Sequence, residues 1–145
     1  MRYYGFGNYY LSPLQQGLQA MHGGCDMSVQ EQIGSKLHNE YVDWAKNHKT
    51  VVLLNGGNQA SLNEIHAFLL DLQQKGYAYP VVKFNEDEQS LGMALTHVGV
   101  IVPEKVYELS GELLKGNTSL LTQNEYKHYE VALAIKLGQY RLAGT

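Results

Sequence analysis

The 145 residues hold one cysteine, three prolines and only two arginines, Arg2 and Arg141. The lone Cys25 excludes an internal disulfide framework and any zinc site built from several cysteines. Long hydrophobic runs are missing as well. The longest, Val51–Leu54 and Val98–Val102, fall far short of the roughly 20 apolar residues that span a bilayer. The opening MRYYGFGNYYLSPLQQ carries no apolar core of a secretory signal. The expectation is a cytoplasmic protein with no membrane partner. Strong charge of either sign is also absent, since 11 Lys and Arg stand against 14 Asp and Glu, a net charge of −3. Non-specific nucleic-acid binding relies on a basic surface that releases counterions, so the bulk charge argues against it and leaves open only a local basic groove. No internal repeat, low-complexity tract or charge block interrupts the chain.

What is present fits one domain. With 44% hydrophobic and 17% charged residues, the chain is too apolar for disorder. At this length about two-thirds of the unfolded surface can be buried. The one visible boundary is LKGNTSLL (114–121), where turn-forming residues precede a last helical pattern. It divides an α/β domain over 1–116 from a C-terminal helical extension over 117–145 packed on the same domain.

Residues 2–10 read as a strand of aromatics spaced by Gly and Asn. Ser12, Pro13 and Gln15 then form a capping box with Pro at the first helical position. On that helix Leu14, Leu18, Met21 and Cys25 share an apolar face, and Gln15, Gln19, His22 and Asp26 a neighbouring one. Gly23–Gly24 marks a place where the helix can break, with a restart at Ser28. A second helix spans about 39–47, with Tyr41 and Trp44. Thr50–Leu54 reads as a buried strand and Asn55-Gly-Gly-Asn58 as a turn. Ser61 and Glu64 cap a helix that ends at a C′ glycine, Gly76. Strands are expected at 79–84 and 93–102, and helices at 104–114 and 122–142. The order β-α-α-β-α-β-β-α-α implies parallel pairing across the strand–helix–strand unit. A mixed four-stranded sheet between helical layers follows.

That order and three stretches resemble the type 2 peptidyl-tRNA hydrolases, the archaeal and eukaryotic kind. The stretches are Gln19-Ala20-Met21-His22; Trp44 with Lys49-Thr50-Val51-Val52-Leu53-Leu54 and the following capped helix; and Thr96-His97-Val98-Gly99-Val100-Ile101-Val102-Pro103 with Tyr107–Leu114. The resemblance covers roughly residues 3–115. It implies a three-layer α/β sandwich around a mixed four-stranded sheet, and hydrolysis of the ester that joins a peptide to the 3′ end of tRNA, with no cofactor or metal. It places Gln19, His22 and Asp87 as catalytic and Gln15, Asn8 and Thr96 as substrate-binding. Tyr-rich opening and compact size are similar to small proteins of tailed phages. Partners under this reading are tRNA or peptidyl-tRNA, a second copy of the chain, or a host protein.

The pattern also departs from the family. Gln15 stands where the family has its functional Lys, Asn8 near its early Asp and Phe6 near its Arg. Asn85-Glu86-Asp87-Glu88-Gln89-Ser90-Leu91-Gly92 replaces an Asp-Ala-Gly-x-Thr loop. A neutral Gln gives hydrogen bonds about half as strong as charge-assisted ones. This opens the alternative of a non-catalytic binding or regulatory module on the same scaffold. A third reading is a different hydrolase using His22 and Asp87 on a small substrate.

Each residue also has a purely structural reading. Gln15 serves the capping box with Ser12. Gln19 and His22, three apart, either face one site, with His22 as general base, or pack a polar helix face on the first strand's end. His22 and Asp26 at i, i+4 supply two metal ligands, which do not make a site. Cys25 is expected to be buried and inert. Glu86, Asp87 and Glu88 either orient a water or form a solvated turn, and their charge repels an RNA backbone. Thr96 is a β-branched strand residue. The Asn55–Asn58 turn either reverses the chain or holds an anion on its backbone N–H groups. YYGFGNYY is expected as an edge strand with a wet aromatic face, a dimer surface. A second partner surface is expected along Tyr126, Tyr129, Leu133, Leu137 and Tyr140.

Overall fold

The computed structural model describes residues 1–86 and 94–144. In chain order the elements are β1 (Arg2–Asn8), α1 (Pro13–Gln30), α2 (Lys36–Asp43) with a π-helical turn Trp44–His48, β2 (Val51–Gly57), α3 (Gln59–Gln74), β3 (Val81–Asn85), β4 (Leu95–Val102), α4 (Glu104–Leu114), α5 (Ser119–Gln123) and α6 (His128–Leu137). The strands form one mixed sheet in the order β2-β1-β4-β3. β1 runs parallel to β2 and antiparallel to β4, and β3 is antiparallel to β4. This is the expected α/β architecture.

Strand alternation sorts the sheet into two faces. Tyr4, Phe6, Val98, Val100 and Val102 point to the side covered by α3, α4 and α6, where they meet Leu62, Ile65, Leu69, Val106, Leu109 and Leu133 in the main core. Tyr3, Val82 and Ile101 point the other way, toward Met27 of α1 and the ring of Trp44. The 117–144 segment belongs to the same core, because Leu133, Ala134 and Leu137 are buried in it. Residues 141–143 lie along β2: Ala143 N–H donates to Leu53 O and Asn55 N–H to Arg141 O, both at 2.8 Å.

Several expectations are corrected. The aromatic opening is no edge. β1 is flanked by β2 and β4, and Tyr3, Tyr4 and Phe6 are buried, so it offers no dimer surface. α1 runs unbroken through Gly23–Gly24. Its buried residues are Gln16, Gln19, Gly23 and Met27, while Leu14, Leu18 and Met21 stand in solvent and Cys25 is exposed rather than buried. The cause lies in the sheet beneath. Gly5, Gly7 and Gly99 leave it without side chains there, and the helix comes so close that a Cβ on Gly23 would sit 2.7 Å from His97 Cδ2. Glycine and flexible unbranched side chains fit that seam, as Gln16, Gln19, Gly23 and Met27 do.

The cap of α3 is Asn58, whose Oδ1 accepts from Ser61 N–H at 2.9 Å, so the helix starts before the predicted Ser61 cap. The last helical pattern does not run from 122 to 142. α5 ends at Gln123, Asn124 is extended, and Lys127 N–H donates to Glu130 Oε1 at 2.7 Å to open α6. Its aromatic side is not a partner surface. Leu133 and Leu137 are core, Tyr140 packs edge-on against Phe6 at 5.0 Å, and Tyr129 meets Tyr77 at 6.2 Å. Gly76, at φ +118°, is the C′ glycine that the sequence predicts.

Candidate functional site

The ends of four elements converge at one corner of the sheet. β1 finishes at Asn8, β4 begins at Leu95, α1 begins at Pro13 and α3 begins at Gln59. Between them lies a cleft of about 640 Å³, lined by Asn8, Tyr10, Leu11, Gln15, Asn58, Gln59, Ala60, Ala94 and Thr96. Three residues that the sequence marks for substrate binding, Asn8, Gln15 and Thr96, come from separate stretches and meet here.

Local chemistry holds each in place. Asn8 is buried at the end of β1, where its Oδ1 accepts from Tyr10 N–H at 3.1 Å and its Nδ2 donates to Leu95 O at 3.4 Å. These two hydrogen bonds pin the chain reversal between β1 and α1. Gln15 is exposed, and its Oε1 accepts from Ser12 N–H at 3.0 Å while Ser12 Oγ accepts from Gln15 N–H at 3.2 Å. The capping box therefore occupies the oxygen of Gln15, a residue of the cleft lining. Thr96 is buried, and its hydroxyl donates to Phe84 O at 3.3 Å. Asn58, Gln59 and Ala60 contribute the start of α3, the positively polarised end of a 16-residue helix. Of the side chains that line the cleft, none is charged.

Gln19 and His22 do not line this cleft. Both lean from α1 over the end of β3. Gln19 is buried, and its Nε2 donates to Glu86 Oε2 at 2.7 Å. His22 is exposed and stacks on Phe84, with ring centroids 4.8 Å apart and planes at 11°. Glu86 connects the two places, because its N–H donates at 2.9 Å to the carbonyl of Ala94 on the cleft rim. Asp87, the carboxylate chosen from the acidic turn, lies outside the described residues. Glu86 is its sequence neighbour, one residue beyond the end of β3.

Beneath α1 lies a buried polar seam that sequence reasoning missed. Tyr3 Oη and His97 Nε2 are hydrogen-bonded at 2.7 Å, with both side chains buried. Burial raises the Tyr3 phenol and holds the His97 imidazole down to about 4. Both groups are therefore neutral at physiological pH. Among the described residues, Gln16 Oε1, Gln19 Oε1 and His97 Nδ1 are buried without a partner. His97 sat in the quoted Thr96-His97 pair, but its burial was invisible because it depends on the glycines of β1.

Among the described residues no three His, Cys, Asp or Glu side chains gather where they could hold a metal ion. No helix of the described residues is long and apolar enough to cross a membrane. No protein-family model matches this chain, and no curated protein matches it.

Proposed function

We propose that this chain is a non-catalytic binding module on a peptidyl-tRNA hydrolase-like scaffold, and that its corner cleft takes the uncharged, oxygen-rich end of a ligand such as a peptidyl-adenosine. The observation that carries this reading is the lining of the cleft. Amide, hydroxyl and phenol groups surround it, with a helix N-terminus beside them and no cation. Such a set suits carbonyl and hydroxyl oxygens. Acyl transfer to water would need a base and a stabilised oxyanion at the same place, and Gln15 offers only a neutral N–H there.

The test uses two probes. N-acetyl-aminoacyl-tRNA incubated with the protein should release its N-acetyl-amino acid no faster than without it. The non-hydrolysable 3′-amide analogue of peptidyl-adenosine, titrated into labelled protein, should shift the amide resonances of Asn8, Gln15, Asn58 and Thr96. Affinity should fall about tenfold in Thr96→Val. Absence of shifts at millimolar analogue would end this reading.

The Gln19–Glu86 contact favours a second reading, hydrolysis of the peptidyl-tRNA ester. A carboxylate fixed by an amide donor, with an exposed imidazole one turn along, is the pair that could activate a water. Accelerated release, lost in both Glu86→Gln and His22→Ala, would select it over the binding module.

A further inference from the structure

The three unpartnered atoms beneath α1, Gln16 Oε1, Gln19 Oε1 and His97 Nδ1, belong to side chains that are 7%, 7% and 0% exposed. Buried polar groups ordinarily find a hydrogen bond. These three also lie together. Gln16, Gln19 and Gly23 follow one another at three and four residues, which sets them in one line along the buried side of the helix. A Cβ on Gly7 would lie 2.6 Å from Gln16 Oε1, so that oxygen sits over Gly7, and Gly7 is paired with His97 across β1 and β4. At the other end of the line, a Cβ on Gly23 would lie 2.7 Å from His97 Cδ2. Nδ1 is across the ring from Cδ2 and therefore faces back along α1, toward Gln19 and Gln16. Chemistry fixes both amides. Gln16 Nε2 donates to Leu11 O at 3.3 Å and Gln19 Nε2 to Glu86 Oε2 at 2.7 Å. A carbonyl and a carboxylate accept, so neither amide can turn its NH₂ to His97.

We propose that this seam is a binding site for one internal water, which accepts from His97 Nδ1–H and donates to Gln16 Oε1 and Gln19 Oε1. Internal waters typically make about three hydrogen bonds to groups that lack protein partners. The count closes in one way. Water has two protons, and both go to amide oxygens, so the imidazole must give its own. Nδ1 then carries the hydrogen of neutral His97, Nε2 is bare, and the Tyr3 hydroxyl donates to it across 2.7 Å. The bonds all run one way: Tyr3 O–H to His97 Nε2, Nδ1–H to water, water to Gln19 Oε1, and Gln19 Nε2–H to Glu86. Members of such a chain polarise one another. A phenol in the core is thereby linked to a carboxylate beyond the end of β3, and the water holds Gln19 as that carboxylate's donor. A metal cation in the same place would need a lone pair on Nδ1, and hence the opposite tautomer. The site is independent of both readings given under the proposed function.

Two-bond proton–nitrogen spectra of the histidine-labelled full chain at neutral pH should show His97 with its hydrogen on Nδ1. Oxygen-17 relaxation dispersion should count one long-lived water fewer in Gln16→Met, an unbranched replacement of similar volume, with its circular dichroism unchanged. A high-resolution crystal structure of the native chain should place one water within hydrogen-bond distance of all three atoms. Should Gln16→Met fail to fold, the tautomer and the crystal structure, both read on the native chain, decide. A hydrogen on Nε2 would overturn the proposal and point to a cation instead. An unchanged water count in folded Gln16→Met, or a crystal structure in which Nδ1 bonds an amide oxygen directly, would overturn it as well.

Discussion

Tyr3 Oη and His97 Nε2 lie 2.7 Å apart beneath α1, with their rings stacked at 5.9 Å and 6°. The pair ties the first strand to the last across 94 positions of sequence. Removing the hydroxyl in Tyr3→Phe leaves His97 without its one protein partner, since Nδ1 has none. A buried polar group stripped of its hydrogen bond costs about 1–3 kcal/mol. Urea denaturation at pH 7.5 should show that loss with an unchanged m-value. A loss below roughly 0.5 kcal/mol, the noise of such comparisons, would mean water replaces the phenol.

Acid should act through the same imidazole. The unfolded chain binds a proton near the ordinary histidine value, and folded His97 refuses it until about pH 4. The unfolded state therefore holds more protons between 6.5 and 4. Stability is full above that window, falls as the pH drops through it, and levels off below. The total is on the order of 3 kcal/mol. Half-buried His66, whose pKa burial also lowers, adds a slope of the same sign. Denaturation at pH 7, 6 and 5 measures it, and most of the fall between 6 and 5 should vanish in His97→Gln relative to its own value at pH 7.

Two glycines in helices should respond oppositely to alanine. Gly→Ala in a helix interior gains about 1 kcal/mol from propensity alone. At Gly111 of α4 nothing lies within 4 Å of the added Cβ, so that gain should appear in full. At Gly23 the Cβ meets His97 Cδ2 at 2.7 Å and Tyr3 Oη at 2.9 Å, both fixed in the buried pair. Overpacking of this kind costs about 1–3 kcal/mol and outweighs propensity. Thermal melts should rise for Gly111→Ala and drop for Gly23→Ala.

Gln19→Glu would set a second carboxylate against Glu86 at the 2.7 Å now spanned by a hydrogen bond. Like charges in a buried place repel, and one of them takes a proton. The variant should lose about 2 kcal/mol at pH 7, and the gap to the native chain should narrow by pH 5. A gap that stays constant with pH would show that the loss is one of shape alone.

The sheet was legible because its strands carry their own signals. Leu95–Val102 is an apolar β-branched run, and Ser12-Pro13 and Gly76 bracket helices by caps that need no tertiary context. The orientation of α1 was not legible. Its apolar stripe says core by periodicity, yet Gly5, Gly7 and Gly99, far apart in sequence, assemble a bare surface that accepts glutamine and glycine instead. Asn8, Gln15 and Thr96 were named through the family resemblance, and one cleft is lined by all three. Gln19 and His22 share a helix side as their spacing implies, but that side faces the end of β3 and not the cleft. The break before His128 escaped notice because the Lys127–Glu130 cap looks, in sequence, like ordinary helix interior.

The central place of β1 has a consequence for biosynthesis. Tyr3 pairs with Val51 on one side and Ile101 on the other. β1 thus gains its second neighbour only after β2, α3 and β3 have been made. Until then its aromatic side chains have no completed layer to enter. Slow, late closure is what such distant pairing dictates.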